Sequence, residues 1–161
     1  MTNHLISVLV ENKPGVLARI SSMFARRGFN IHSLAVGPTS DPDMSRMTVV
    51  VDAPEMEQIV KQLRKLINTV KVTELGPGDA IEREIMLVRV NAEASKRAEI
   101  FEVAQLMGAH PADVGASTIT FEIAGAPDRL ATFFEMLRPY GISDLVKSGR
   151  IALGKTPARN A

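Results

Sequence analysis

The chain has 161 residues, 45% of them hydrophobic, and a formal net charge of +1 from 19 basic and 18 acidic residues. That is enough for one ordinary domain or two small ones sharing an interface, and it supplies no broad field to draw in nucleic acid. The absence of cysteine excludes disulfides, a thiol nucleophile and a thiolate metal site, and with aromatics at 4% and Tyr140 the lone tyrosine, stacking platforms for bases or flat cofactors are scarce. No apolar run approaches the roughly 18 residues of a membrane helix and no leader pattern opens the chain, so the cytoplasm is the expected location.

Residues 4–11 place Ile6, Val8 and Val10 on one face, the period of two of a half-buried strand. From Val16 onward Leu17, Ile20, Met23 and Phe24 recur at helical spacing. Between the two lies Asn12-Lys13-Pro14-Gly15-Val16-Leu17. Pro14 presets a turn there, and Gly15 lets the chain reverse sharply and lets another molecule approach without a Cβ in the way. Amides at the start of the helix, with the positive end of its dipole, attract a carboxylate or phosphate, each contact contributing ~0.3–1 kcal/mol. The same strand-turn-helix junction also serves as a plain turn, and the residues alone leave both readings open.

Next, Ile31, Ser33 and Ala35 alternate with His32, Leu34 and Val36 in a second strand closed by Gly37-Pro38. Residues 46–52 form a third, with Met47, Val49 and Val51 on one face. After Ala53-Pro54, the residues Met56, Ile59, Val60, Leu63, Leu66 and Ile67 fit a helix stripe, and Val70 and Val72 give a fourth strand. The order is βαββαβ, which buries both apolar stripes when the two helices lie on one face of a four-stranded antiparallel sheet.

Gly76-Pro77-Gly78-Asp79 reads as a linker, after which the pattern restarts. Residues 85–90 predict a strand buried on both faces, Ile100, Val103, Ala104 and Met107 a helix ended by Gly108, and residues 112–114 a weak strand. Ile119, Phe121 and Ile123 give a strand, Leu130, Phe133, Phe134 and Leu137 a helix, residues 142–147 another strand, and residues 148–153 an added edge strand. The fold class is therefore α+β, two ferredoxin-like βαββαβ units in tandem. Domains are expected at 1–76 and 82–154, with a linker at 77–81 and a flexible tail at 155–161.

Catalytic machinery does not stand out. His4, His32 and His110 are widely separated, without a second ligand at metal spacing, and neither a nucleophile elbow nor a phosphate-binding Gly-x-x-x-x-Gly-Lys-Ser/Thr loop occurs. The cluster Glu82-Arg83-Glu84 reads as a solvated strand end that can pair with Arg89 or with a partner, and Asp41-Pro42-Asp43 as an exposed turn whose carboxylates offer at most a weak cation site. An acylphosphatase-like hydrolysis would need an arginine in the loop 11–17, which holds Lys13 instead; Arg19 sits one turn into the helix.

The run Ser7-Val8-Leu9-Val10-Glu11-Asn12-Lys13-Pro14-Gly15-Val16-Leu17-Ala18-Arg19, followed by Arg27-Gly28-Phe29-Asn30-Ile31 and Ser33-Leu34, resembles the ACT domain of the regulatory, or small, subunits of acetolactate synthase. Ser45-Arg46-Met47-Thr48, residues 58–66, Arg83-Glu84-Ile85-Met86-Leu87-Val88, Asp113-Val114 and Ser148-Gly149 extend the likeness over nearly the whole chain. The resemblance implies a non-catalytic protein, with no cofactor of its own. It would activate a catalytic large subunit carrying thiamine diphosphate, a magnesium ion and FAD, and would confer feedback inhibition by valine. It implies ACT units paired as a homodimer with the amino acid at their interface, held by Asn12, Gly15, Val16, Leu17, Asn30, Ile31 and Val36. His32 departs from the glutamate frequent in the family, Ala18 from a serine, and Gly115 from a proline or serine. The runner-up is a free-standing ACT sensor acting on another enzyme or a transcription factor.

Overall fold

The computed structural model describes residues 3–156. By their contacts they form two compact units, one running to Ile81 and resuming at Arg150, the other Glu82–Gly149. The first unit contains β1 (Asn3–Glu11), α1 (Val16–Arg26), β2 (Asn30–Pro38), β3 (Met44–Asp52), α2 (Met56–Arg64) and β4 (Thr69–Leu75). Its strands form an antiparallel sheet in the order β2-β3-β1-β4. Ile6, Val8 and Val10 of β1 meet Met47, Val49 and Val51 of β3 beneath Ile20, Phe24, Ile59 and Leu63 of the helices. That is one apolar face of a sheet covered by two apolar helix stripes, the arrangement the sequence periodicities require.

The second strand departs from simple alternation. Ile31 pairs with Val51 and Ser33 with Val50, so His32 is an extra residue in a β-bulge. The bulge shifts the phase, and Ile31 and Leu34 both pack on the helix-side core instead of pointing to opposite faces. The second helix also ends early, at Arg64, leaving Ile67 90% exposed in the turn that leads to β4. Opposite the helices, Leu5 and Val50 are covered by Ala152, Leu75 and Ala80. The Arg150 N–H donates to Ser33 Oγ at 2.7 Å, and the Lys155 N–H to the Asp79 carbonyl at 2.7 Å. Lys155 is thus held, while residues 157–161 of the expected tail lie outside the described residues.

The second unit begins within β5 (Ala80–Asn91), whose first two residues belong to the first, and contains α3 (Arg97–Met107), β6 (His110–Val114), β7 (Thr118–Gly125), α4 (Pro127–Leu137), a short 3-10 turn (Arg138–Tyr140) and β8 (Ile142–Lys147). Its strand order, β6-β7-β5-β8, repeats that of the first sheet. A last strand, β9 (Ile151–Gly154), pairs with β5. Its core joins Met86, Val88 and Val90 to Ile100, Phe121, Leu130 and Phe133, with Phe121 edge-on to both Phe101 and Phe133. The expectation that β5 is buried on both faces is corrected: Ile85 and Leu87 are exposed, because the helices cover only the other face. A continuous apolar run can thus belong to a one-sided strand. The weak strand is real but wholly exposed, and Pro111 sits beside its register shift, as an edge strand permits.

Candidate functional site: the turn at Gly15

Gly15 caps the start of α1 at φ 84°, with open space where a Cβ would stand. A left-handed residue here favours glycine, and the open space leaves the backbone approachable from outside. Several bonds fix the turn. Asn12 donates its amide N–H to the Asp43 carbonyl at 2.7 Å and its side-chain Nδ2 to the Pro42 carbonyl at 3.0 Å, and the Lys13 N–H reaches the Glu11 carbonyl at 3.0 Å. The Val16 amide bends inward to the Lys13 carbonyl at 3.4 Å. Among the described residues, those of Gly15, Leu17 and Ala18 have no backbone acceptor, as expected of a helix start.

Beside the turn runs a chain of polar contacts. Lys13 Nζ lies 3.2 Å from the Glu11 carboxylate, Asn68 Nδ2 donates to the same carboxylate at 2.5 Å, and Arg19 Nη1 donates to Asn68 Oδ1 at 2.9 Å. The Asn68 bond first, and Lys13 second, hold the Glu11 carboxyl below the usual carboxylate range. Glu11 is taken up by Asn68 and Lys13, so Arg19 and the helix start leave this end a positive bias. Sequence reading missed Asn68, since nothing local marks a side chain that acts from the turn leading into β4, the strand beside β1.

The seven residues expected to hold a ligand fall into two groups. Asn12, Gly15, Val16 and Leu17 stand together, and Val36 lies toward the same end of the sheet, two residues before Pro38, which pairs with Ser45 as Glu11 pairs with Met44. Leu17 and Val36 are 45% and 46% exposed, whereas the Val16 side chain is buried in the core. Asn30 and Ile31 open β2 opposite Asp52 and Val51, at the other end. Over eight residues at roughly 3.3 Å each, that is about 25 Å away. Within one chain the two groups do not meet. Clefts of about 490 and 640 Å³ on the helix layer do not include the turn among their lining residues.

Other candidates resolve into structural roles. His4 Nδ1 lies 3.3 Å from Glu74, the Asp41 carboxylate accepts the Asp43 N–H at 3.0 Å and so closes its own turn, and Arg89 goes to Asp144 and Thr120 and not to Glu82 or Glu84. No group of three or more His, Asp or Glu side chains suited to a metal ion occurs among the described residues.

Residues 6–71 match the family model of the acetolactate synthase (AHAS) small subunit-like ACT domain, and residues 83–156 that of the small subunit of acetolactate synthase. An acetolactate synthase small subunit of Mycolicibacterium smegmatis is 48% identical over 96% of this chain and 92% of its own length. A probable acetolactate synthase small subunit of Archaeoglobus fulgidus is 47% identical, covering 93% and 95%. The crystal structure of the acetolactate synthase small subunit of Thermotoga maritima superposes with a TM-score of 0.88 at 34% identity, over 97% of this chain and 99% of that one.

Proposed function

The chain belongs to the acetolactate synthase small-subunit family, and on that premise we propose that it is a regulatory subunit without catalysis of its own. It binds and activates a catalytic large subunit in the cytoplasm and makes that subunit sensitive to valine. Thiamine diphosphate, magnesium and FAD belong to the partner. The first unit, to which the chain returns at Arg150, senses the amino acid; the second, Glu82–Gly149, serves contact with the partner or transmission.

One observation carries the sensing role: Asn30 and Ile31 open the edge strand β2, and the approachable turn at Gly15 lies toward that strand's other end. An edge strand offers its free N–H and C=O groups to another strand. If β2 of a second copy pairs antiparallel with the first, the two-fold symmetry brings Asn30 and Ile31 of one protomer beside Val36 and the Gly15 turn of its partner, twice over. The amides of Gly15 and Leu17 then take the ligand carboxylate, the side-chain oxygen of Asn12 or Asn30 takes its ammonium, and Leu17, Val36 and Ile31 wall its isopropyl group. Because one methylene is worth only about 1–3 kcal/mol, leucine and isoleucine are excluded incompletely. A ligand shared by two chains alters how they sit together, and a coupling of about 1–3 kcal/mol to the catalytic subunit suffices for feedback.

Mixing the full chain with its catalytic subunit should raise acetolactate formation, and valine should then lower it. An unchanged rate would remove the activating role. A chain that activates but is indifferent to valine, and binds none by calorimetry, would remove the sensing role.

A further inference from the structure

The helix layers of the two units differ in charge. Along residues 16–27 and 55–65 stand Arg19, Arg26, Arg27, Lys61, Arg64 and Lys65 against only Glu55 and Glu57, and Glu57 lies 3.5 Å from Lys61. In the second unit the helix cations are spent internally: Lys96 and Arg138 pair with Glu99 and Glu135, and Arg97 and Arg129 donate to backbone carbonyls. In a chain whose formal charge is only +1, a local excess of this kind stands out.

Three of these cations line one cleft. Arg26, Arg27 and Lys65 surround a volume of about 490 Å³ together with Met23, Gln62 and Leu66. Among the described residues none of the three pairs with a carboxylate, and Arg26 donates only to its own helix, at the Ser22 carbonyl. A second cleft of about 640 Å³ shares Arg26 and Leu66 and continues along α1 past Ala25, Ser22 and Ala18 to Arg19. From Arg19 to Arg26 the helix rises about 10 Å. Small side chains four and three residues apart leave a shallow lane along which another helix can approach, and guanidinium groups at both ends suit carboxylates. A lone small anion would neutralise only one end of such a lane.

We infer that the groove formed by α1 and Leu66 docks an acidic amphipathic helix of the catalytic subunit. The inference rests on the functional reading above and names the face by which that partner is held. The groove stops at Ala18 and Arg19, one turn into α1, so the Gly15 turn is left free for the amino acid. Asp and Glu side chains of the incoming helix relieve the mutual repulsion of Arg26, Arg27 and Lys65, and the positive face speeds association in a salt-dependent way.

Affinity and association rate of the full chain for its catalytic subunit, measured at low and high salt, test the proposal. R26E/R27E should weaken binding roughly tenfold or more and flatten the salt dependence. R26K/R27K, which keeps the charge, should bind nearly as wild type, and valine binding by calorimetry should be unchanged in both. K65E, on the opposite rim, repeats the test should R26E/R27E fail to fold. Wild-type affinity in the charge-reversed variants overturns the docking face while leaving the regulatory reading intact; failure of the wild type to bind the catalytic subunit overturns that reading instead. Binding of duplex DNA or tripolyphosphate that is lost in R26E/R27E, with the catalytic subunit held as before, assigns the groove to another anion and also overturns the proposal.

Discussion

At Gly15 the first helix of one unit is entered through a left-handed residue with open space around it, while at Lys96 the corresponding helix of the other is entered through right-handed backbone. There Arg97 at once ties the helix start to the carbonyls of Ala92, Gly115 and Ala116. The two units share strand order and helix placement, and both enclose a closed apolar core. One keeps its helix start and its helix-layer cations available; the other consumes both in its own structure. The same topology thus leaves a helix start and a cationic groove open in the first unit and closes the matching positions in the second, and the difference lies in a few loop and rim residues.

The largest blow to this contrast is Gly15→Asp. It forces a side chain onto a φ of 84° and sets a carboxylate against the ligand's own. Valine affinity should fall by about two orders of magnitude or more, whereas Lys96→Asp, at the matching position, should leave it unchanged in calorimetry. Next come the cores. Phe24→Ala and Phe133→Ala remove fully buried rings and should each cost about 3–5 kcal/mol. Hydrogen exchange should place the loss in the unit that carries the substitution, and only Phe24→Ala should weaken valine binding. Third, Arg97→Ala strips three carbonyls of a charged donor and should cost about 1–3 kcal/mol. It should speed amide exchange around residues 115–117 with no effect on the ligand.

The smallest effect concerns protons. The Tyr140 hydroxyl donates to Glu99 at 2.5 Å, and that bond first, then Lys96, holds the Glu99 carboxyl below its ordinary value; Glu99 in turn raises Tyr140. For Glu99 the contribution is complete above the ordinary carboxylate value and disappears as pH falls through the lowered one. For Tyr140 it is complete below the ordinary tyrosine value and disappears as pH rises through the raised one. In an NMR titration Tyr140→Phe should move Glu99 upward toward its ordinary value; an unmoved Glu99 would assign its shift to Lys96.

Much of the fold was legible because side-chain periods of two and 3.6 dominate both cores, and the turn at Gly15 announced itself through Pro14 and Gly15. What escaped was non-local. The bulge at His32 depends on the register with β3. The one-sided burial of β5 depends on which face the helices take, and the role of Asn68 on the pairing of β4 with β1. Likewise, the separation of Asn30 and Ile31 from Gly15 follows from strand direction, which periodicity cannot express.

The return of the last strand has a practical meaning for dissecting this molecule. Ala152 completes the apolar patch over Leu5 and Val50, and Arg150 bonds to Ser33, although both follow the entire second unit in the chain. A stop codon placed after Gly149 therefore strips the first unit of part of its own wall, and loss of a valine response in such a truncation would misassign the proposed sensing to the second unit. The clean deletion is internal, joining Ile81 to Arg150 through a short spacer. The ribosome faces the same geometry: the half made first waits for the half made last before its sheet is sealed.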